Sequence, residues 1–170
     1  MQLLVDIPLD MGIKTLYLLR HAKALAIGSS VSDRDRPLSQ KGVKDVDKLA
    51  NKLSKKDESF DLILMSPAVR TISTGQLISK WLHIPHSHLV VNEALYAAET
   101  MMLLKIISSV SKKIDKLMII GHNPGIMNLA SLIADEPIAM PTCAMIKFTY
   151  DLNDWHEILT ERASKFSLFN

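Results

Sequence analysis

The chain has 170 residues and a mass of 19.0 kDa, with 48% hydrophobic and 22% charged residues, 20 Lys and Arg against 18 Asp and Glu, and a mean hydropathy of +0.14. These values exclude a disordered chain, a collagen-like repeat and a membrane span, and the size suits one core rather than two. A net charge of +2 with scattered basic residues offers no track for a nucleic-acid backbone, so neither nucleic acid nor membrane is an expected partner and any bound anion is small.

The single cysteine, Cys143, cannot pair within the chain and reads as a small buried hydrophobe, which fits a reducing compartment. The first twelve residues, MQLLVDIPLDMG, lack the positive n-region of a secretion signal, so a cytoplasmic location is expected. Residues 1–12 read as a flexible N-terminal extension or a start-site choice at Met11, and residues 13–170 as one domain.

In chain order, TLYLL at 15–19 is a continuous apolar run ending in Arg20 and His21, as a buried parallel strand feeding a polar loop would. Residues 26–37 are rich in Ser, Gly, Asp and Arg and read as a long loop. Val43, Val46, Leu49, Ala50 and Leu53 recur at helical spacing and predict an amphipathic helix over 39–55. DLILM at 61–65 is a second buried strand, after which Ser66 as N-cap and Pro67 at the first helical position predict a helix to about residue 82. Residues 88–91 predict a short strand, 100–110 a packed helix, and KLMIIG at 116–121 a third buried strand. In HNPG, Asn123 is expected to cap and Pro124 to open the next helix. AMIKFTY and WHEILTE read as two β-like runs around a turn at Asn153 and Asp154, forming an edge hairpin.

Strand alternating with helix predicts a three-layer α/β/α sandwich with a mostly parallel central sheet. Ligands of such sheets bind beyond the carboxyl ends of the strands. Arg20 and His21 close the first strand, Arg70 lies in the first turn after the second, and His122 closes the third. Two imidazoles, two guanidiniums and two helix starts on one edge suit a phosphoryl group. Arg36, from DRDRPL, can supply a further cation to the same crevice, and Arg34 is a weaker candidate.

The blocks LYLLRHAK, DRPLSQKG, LILMSPAVRTISTGQLI and IIGHNPGI resemble, in order, the motifs of the histidine phosphatase superfamily, and within it the small SixA-like phosphohistidine phosphatases. They span residues 16–126, about two thirds of the chain. The resemblance implies a phosphoglycerate mutase-like fold and a metal-independent phosphatase reaction. It matches His21 to the nucleophile that becomes phosphorylated, and Arg20, Arg36, Arg70 and His122 to its phosphate pocket, with His122 counted among the catalytic residues; Asn123 is a further phosphate-binding candidate. Glu93, in VNEALYAAE, resembles the acid carboxylate of related phosphatases and mutases, with Asp35 and Glu99 as rivals. The sequence departs from many members at Ala22, where they carry Gly.

A neutral imidazole can attack phosphorus in line while cations stabilise the transferring oxygens. His21 must then be neutral and His122 would serve best protonated, so their surroundings are expected to push the two titrations apart. The expected substrate is a protein phosphohistidine, with a small phosphate ester as the near alternative, a mutase as a less favoured one, and a non-catalytic phosphate-binding module as the alternative of another class. No cofactor is expected, since GxGxxG and Walker patterns are absent. No metal is expected either, because His83, His86 and His88 lack a completing ligand set.

Overall fold

In a computed structural model of the chain, residues 12–26 and 31–169 are described. The expected extension over residues 1–12 therefore lies, Gly12 apart, outside the described residues, as does part of the 26–37 loop. Among the described residues no helix is long and apolar enough to cross a membrane.

The elements follow in the order β1 (Ile13–Arg20), α1 (Gln40–Lys55), β2 (Leu62–Met65), α2 (Val69–Leu82), β3 (Leu89–Val91), α3 (Thr100–Ser108), β4 (Lys116–Gly121), α4 (Gly125–Ala134), β5 (Met145–Asp151) and β6 (Lys165–Phe169). They build one six-stranded sheet in the order β3-β2-β4-β1-β5-β6. β1 pairs in parallel with β4, and β2 in parallel with both β4 and β3. β5 pairs antiparallel with β1 and β6. The sheet is thus mostly parallel, and the mixed α/β class is the expected one.

The pleat of each central strand sorts its side chains between two cores. Tyr17, Leu19, Met118 and Ile120 meet Val46, Leu49 and Leu53 of α1 and Ile78 of α2 on one face. Leu16, Leu18, Leu117 and Ile119 meet Leu103 and Ile107 of α3 and Leu129 and Ala130 of α4 on the other. Both faces are covered, which is why these strands are apolar at every position rather than at alternate ones.

Helix α1 begins where its sequence predicts: Ser39 Oγ accepts from the amide of Gly42, while Ser39 itself donates to the carbonyl of Lys23. A Cβ at Gly42 would collide with that carbonyl, so glycine lets the helix start press against the loop that follows β1.

Three expectations need correction. Ser66 and Pro67 do not start α2: the helix begins at Val69, Ala68 holds the cap position without a side-chain bond, and the Ser66 hydroxyl is used elsewhere. Asn123 does not cap α4 either, because Pro124 holds that position and the Asn123 amide donates to a backbone carbonyl. WHEILTE is not the second strand of the hairpin. Residues Trp155–Leu159 form a short 3-10 turn, opened by a capping box between Asp154 and Glu157, and the partner of β5 is β6. The buried Trp155 ring and its indole N–H, which donates to the Ile114 carbonyl at 2.7 Å, hold that turn against the α3–α4 face.

Candidate active site

β1, β2 and β4 end at one edge of the sheet, and a cavity of about 850 Å³ opens there. Arg20, His21, Arg36, Arg70, His122 and Asn123 all line it, so six of the seven expected site residues share one cavity. Lys23, Asp33, Tyr96 and Glu99 complete its polar wall. A Cβ at Gly125 would collide with the carbonyl of Ala98, so the start of α4 lies directly against the segment before α3 that closes this side.

His21 is only 9% exposed and is fixed by its backbone. Its amide donates to Gly121 O at 3.1 Å, its carbonyl accepts from the Cys143 amide, and the next amide, of Ala22, donates to Thr74 Oγ1. Nδ1 lies 2.8 Å from the Ala22 carbonyl, an acceptor, so Nδ1 carries the proton. The lone pair is then on Nε2, which accepts from Arg70 Nε at 3.3 Å.

His122 takes the other tautomer. Its Nδ1 lies 3.4 Å from Arg70 Nη2, a group that can only donate, so the proton is on Nε2 and is given to Ser66 Oγ at 2.7 Å. The two imidazole centroids are 5.1 Å apart, and the Tyr96 ring meets His122 edge-on at 5.7 Å. Arg70, 5% exposed in the first turn of α2, thus contacts both rings.

The titrations are not pushed apart. Burial lowers His21 to about 4, reinforced by the Arg70, Arg20 and Arg36 charges against an opposing hydrogen bond to Ala22. Burial also lowers His122 to about 4, helped by His21 and Arg70 and opposed by Asp33. Both rings are neutral at neutral pH, because both are buried and the cationic field around them adds to the cost of a further charge.

Arg20 donates through Nη1 to the Met140 carbonyl at 3.0 Å, the same oxygen that accepts Asn123 Nδ2 at 3.0 Å. Among the described residues, Arg20 Nε is buried with no hydrogen-bond partner. Arg36 reaches the cavity wall with its guanidinium bound to Asp33 and to the Leu25 carbonyl.

Glu93 is the expected residue that the structure leaves outside the cavity wall. It sits in a short turn before α3, its side chain 71% exposed and paired with Arg34 at 2.7 Å. Of the rival acids, Glu99 lines the cavity, whereas Asp35 accepts from the Ser32 hydroxyl in its own turn. Three site groups escape a reading of the sequence, Ser66, Asp33 and Tyr96. Ser66 stands in the pattern of a helix cap it does not make, and Asp33, in a loop of alternating charge, carries no signal that separates it from a solvated carboxylate.

A model of the histidine phosphatase superfamily (branch 1) matches residues 16–95. An uncharacterised chloroplastic protein of Arabidopsis thaliana is 33% identical over 154 residues, covering 85% of this chain and 70% of that protein. Among solved structures, a proposed phosphohistidine phosphatase SixA of Nakamurella multipartitia superposes with a TM-score of 0.76 at 22% identity, over 94% of this chain and 96% of that one. The protein histidine phosphatase SixA complexed with tungstate gives 0.72 at 22% identity, over 81% and 88%. These superpositions show a shared phosphoglycerate mutase-like fold; the superfamily match over residues 16–95, which carries both the Arg20–His21 pair and Arg70, together with the 33% identical Arabidopsis relative, shows that the chain belongs to the histidine phosphatase superfamily.

Proposed function

We infer that the protein is a phosphatase that works through a phosphohistidine on His21, with a protein phosphohistidine as its substrate. The observation that carries this reading is the state of His21: buried, neutral, its Nδ1 proton tied to the Ala22 carbonyl and its Nε2 lone pair turned toward Arg70. A nucleophile needs that unprotonated nitrogen, and a transferring phosphoryl group needs the guanidiniums around it.

In the first step Nε2 attacks phosphorus and the bond from phosphorus to the leaving group breaks. Arg20, Arg36 and Arg70 stabilise the oxygens of the transferring group. An imidazole leaving group that is protonated departs neutral and asks for no acid from the protein, which accords with Glu93 standing outside the cavity wall, paired with Arg34. In the second step water attacks the same phosphorus, the Nε2–phosphorus bond breaks, and orthophosphate leaves with His21 neutral again. His122, held by Ser66 and Arg70, keeps its Nδ1 lone pair toward the pocket and orients the guanidinium. Asn123 lines the cavity, its amide donating to the Met140 carbonyl and to the Met127 sulfur. The resemblance to SixA, one structure of which holds the tetrahedral oxyanion tungstate, supports the substrate class.

The test is hydrolysis, by protein treated with chelator, of a phosphohistidine-bearing phosphotransfer domain beside an aryl phosphate, each repeated with His21→Ala. Preference for the protein substrate, lost in the variant, is expected. Turnover of the aryl phosphate alone would move the substrate to a small ester, and turnover of neither would favour a phosphate-binding module.

A further inference from the structure

Asp33 is a cavity-lining carboxylate that the scheme above does not use. Its Oδ1 accepts from Arg36 Nε at 3.0 Å and Nη2 at 2.6 Å. Its Oδ2 accepts from Arg70 Nη2 at 3.0 Å and from the Tyr96 hydroxyl at 3.1 Å, and its main-chain carbonyl accepts from Arg70 Nη1. With Nε on His21, all three nitrogens of Arg70 are engaged by Asp33 or by a histidine.

Four side-chain donors from three residues thus converge on one carboxylate beside the nucleophile, an arrangement that also fits the oxygens of a phosphoryl group. The loop that delivers Asp33 is held independently of these contacts. The Arg34 carbonyl accepts from the Val69 amide at 2.9 Å, and Ser32 and Asp35 close a turn around it. A phosphoryl dianion placed in line with His21 Nε2 needs the Arg70 and Arg36 donors that Asp33 holds, and two anions on the same donors repel.

We propose that Asp33 is a specificity-determining residue, an internal anion that competes with the phosphoryl group for Arg70 and Arg36 and so keeps the affinity for free phosphate low. The proposal takes its ligand class from the phosphatase reading. In this arrangement product phosphate is released readily, and only a group that also bonds to His21 displaces the carboxylate fully. Arg36 and Arg70 hold Asp33 ionised, with its titration lowered to about 2, so the competition operates at every physiological pH.

The experiment measures the dissociation constant of inorganic phosphate by titration calorimetry on the full chain, as wild type, Asp33→Asn, Asp33→Ala and Glu99→Gln. Glu99 lines the same cavity and carries the same charge, but its carboxylate is not among the groups bonded to Arg70 or Arg36. Release of the arginines is expected to tighten phosphate binding about tenfold in both Asp33 variants, with a much smaller change in Glu99→Gln. Unchanged or weaker binding in the Asp33 variants would overturn the proposal and make Asp33 a brace for the arginines. Equal tightening in Glu99→Gln would overturn it in favour of general charge, and absence of phosphate binding in all four proteins would overturn it outright. If the Asp33 variants bind phosphate more tightly while no phosphorylated substrate is turned over, the phosphatase reading fails and the competition by Asp33 stands. Turnover without tightening does the reverse: the phosphatase reading stands and the competition is ruled out.

Discussion

The sheet has a parallel half, β3-β2-β4-β1, and an antiparallel half, β5-β6, and the two contribute to the cavity in different ways. Parallel strands all leave the sheet at one edge, so β1, β2 and β4 deliver His21, Ser66 and His122 side by side, and α2 adds Arg70. β5 runs the other way and therefore begins at that edge, with Met145 opposite Leu19. What it brings is largely backbone: the Cys143 amide on His21 and the Met140 carbonyl on Arg20 and Asn123. One half of the sheet supplies the imidazoles and the guanidinium of the candidate site, and the other supplies backbone groups that hold them.

That division can be broken by substitution. His21→Ala should reduce turnover of the preferred substrate on the order of 10⁴-fold or more, with no phosphorylated enzyme trapped by acid quench; residual turnover within tenfold of wild type would remove the nucleophile from the parallel half. Arg70→Ala should cost about 10²- to 10³-fold in kcat, read from steady-state kinetics. Trp155→Ala, on the antiparallel side, should instead cost about 3–5 kcal/mol of stability in urea unfolding, with kcat of the folded fraction nearly unchanged. A large loss of kcat there would erase the contrast.

Smaller effects sharpen the picture. Because both histidines stay neutral down to about 4, their NMR resonances should titrate near 4 rather than 6.5, and kcat/KM should be flat at neutral pH and fall only as pH drops through about 4. The sign for stability follows: the unfolded chain takes up these protons near 6.5 and the folded chain does not, so stability is full above pH 6.5 and is lost progressively between 6.5 and 4. Ser66→Ala should lower kcat about tenfold by releasing the His122 ring. Glu93→Gln should change kcat less than about threefold, since it breaks only an exposed ion pair; a large loss for an aryl phosphate, with the protein substrate spared, would restore Glu93 as an acid.

The parallel half is legible in the sequence because a strand covered on both faces is apolar at each position and stops at a polar residue, which marks its carboxyl end in one dimension. Arg20, His21 and His122 stand at those marks. The antiparallel half is not, since WHEILTE carries the letters of a strand while its Asp154–Glu157 capping box and buried Trp155 turn it into a 3-10 segment. Ser66 misleads for a related reason: Ser-Pro is a strong helix-start pattern, and only the neighbouring strand's His122 shows where the hydroxyl goes. Asp33 owes its place to the fold of its loop, which no local spacing encodes.

Met140 is followed by Pro141, and the proline ring confines the residue before it to extended backbone. The oxygen that grips Arg20 and Asn123 is therefore aimed by a peptide plane whose rotation the ring restricts. Evolution could exchange the Met140 side chain for another of similar bulk and leave the grip untouched, whereas replacing Pro141 would let one plane swing and loosen a guanidinium and an amide in the same movement.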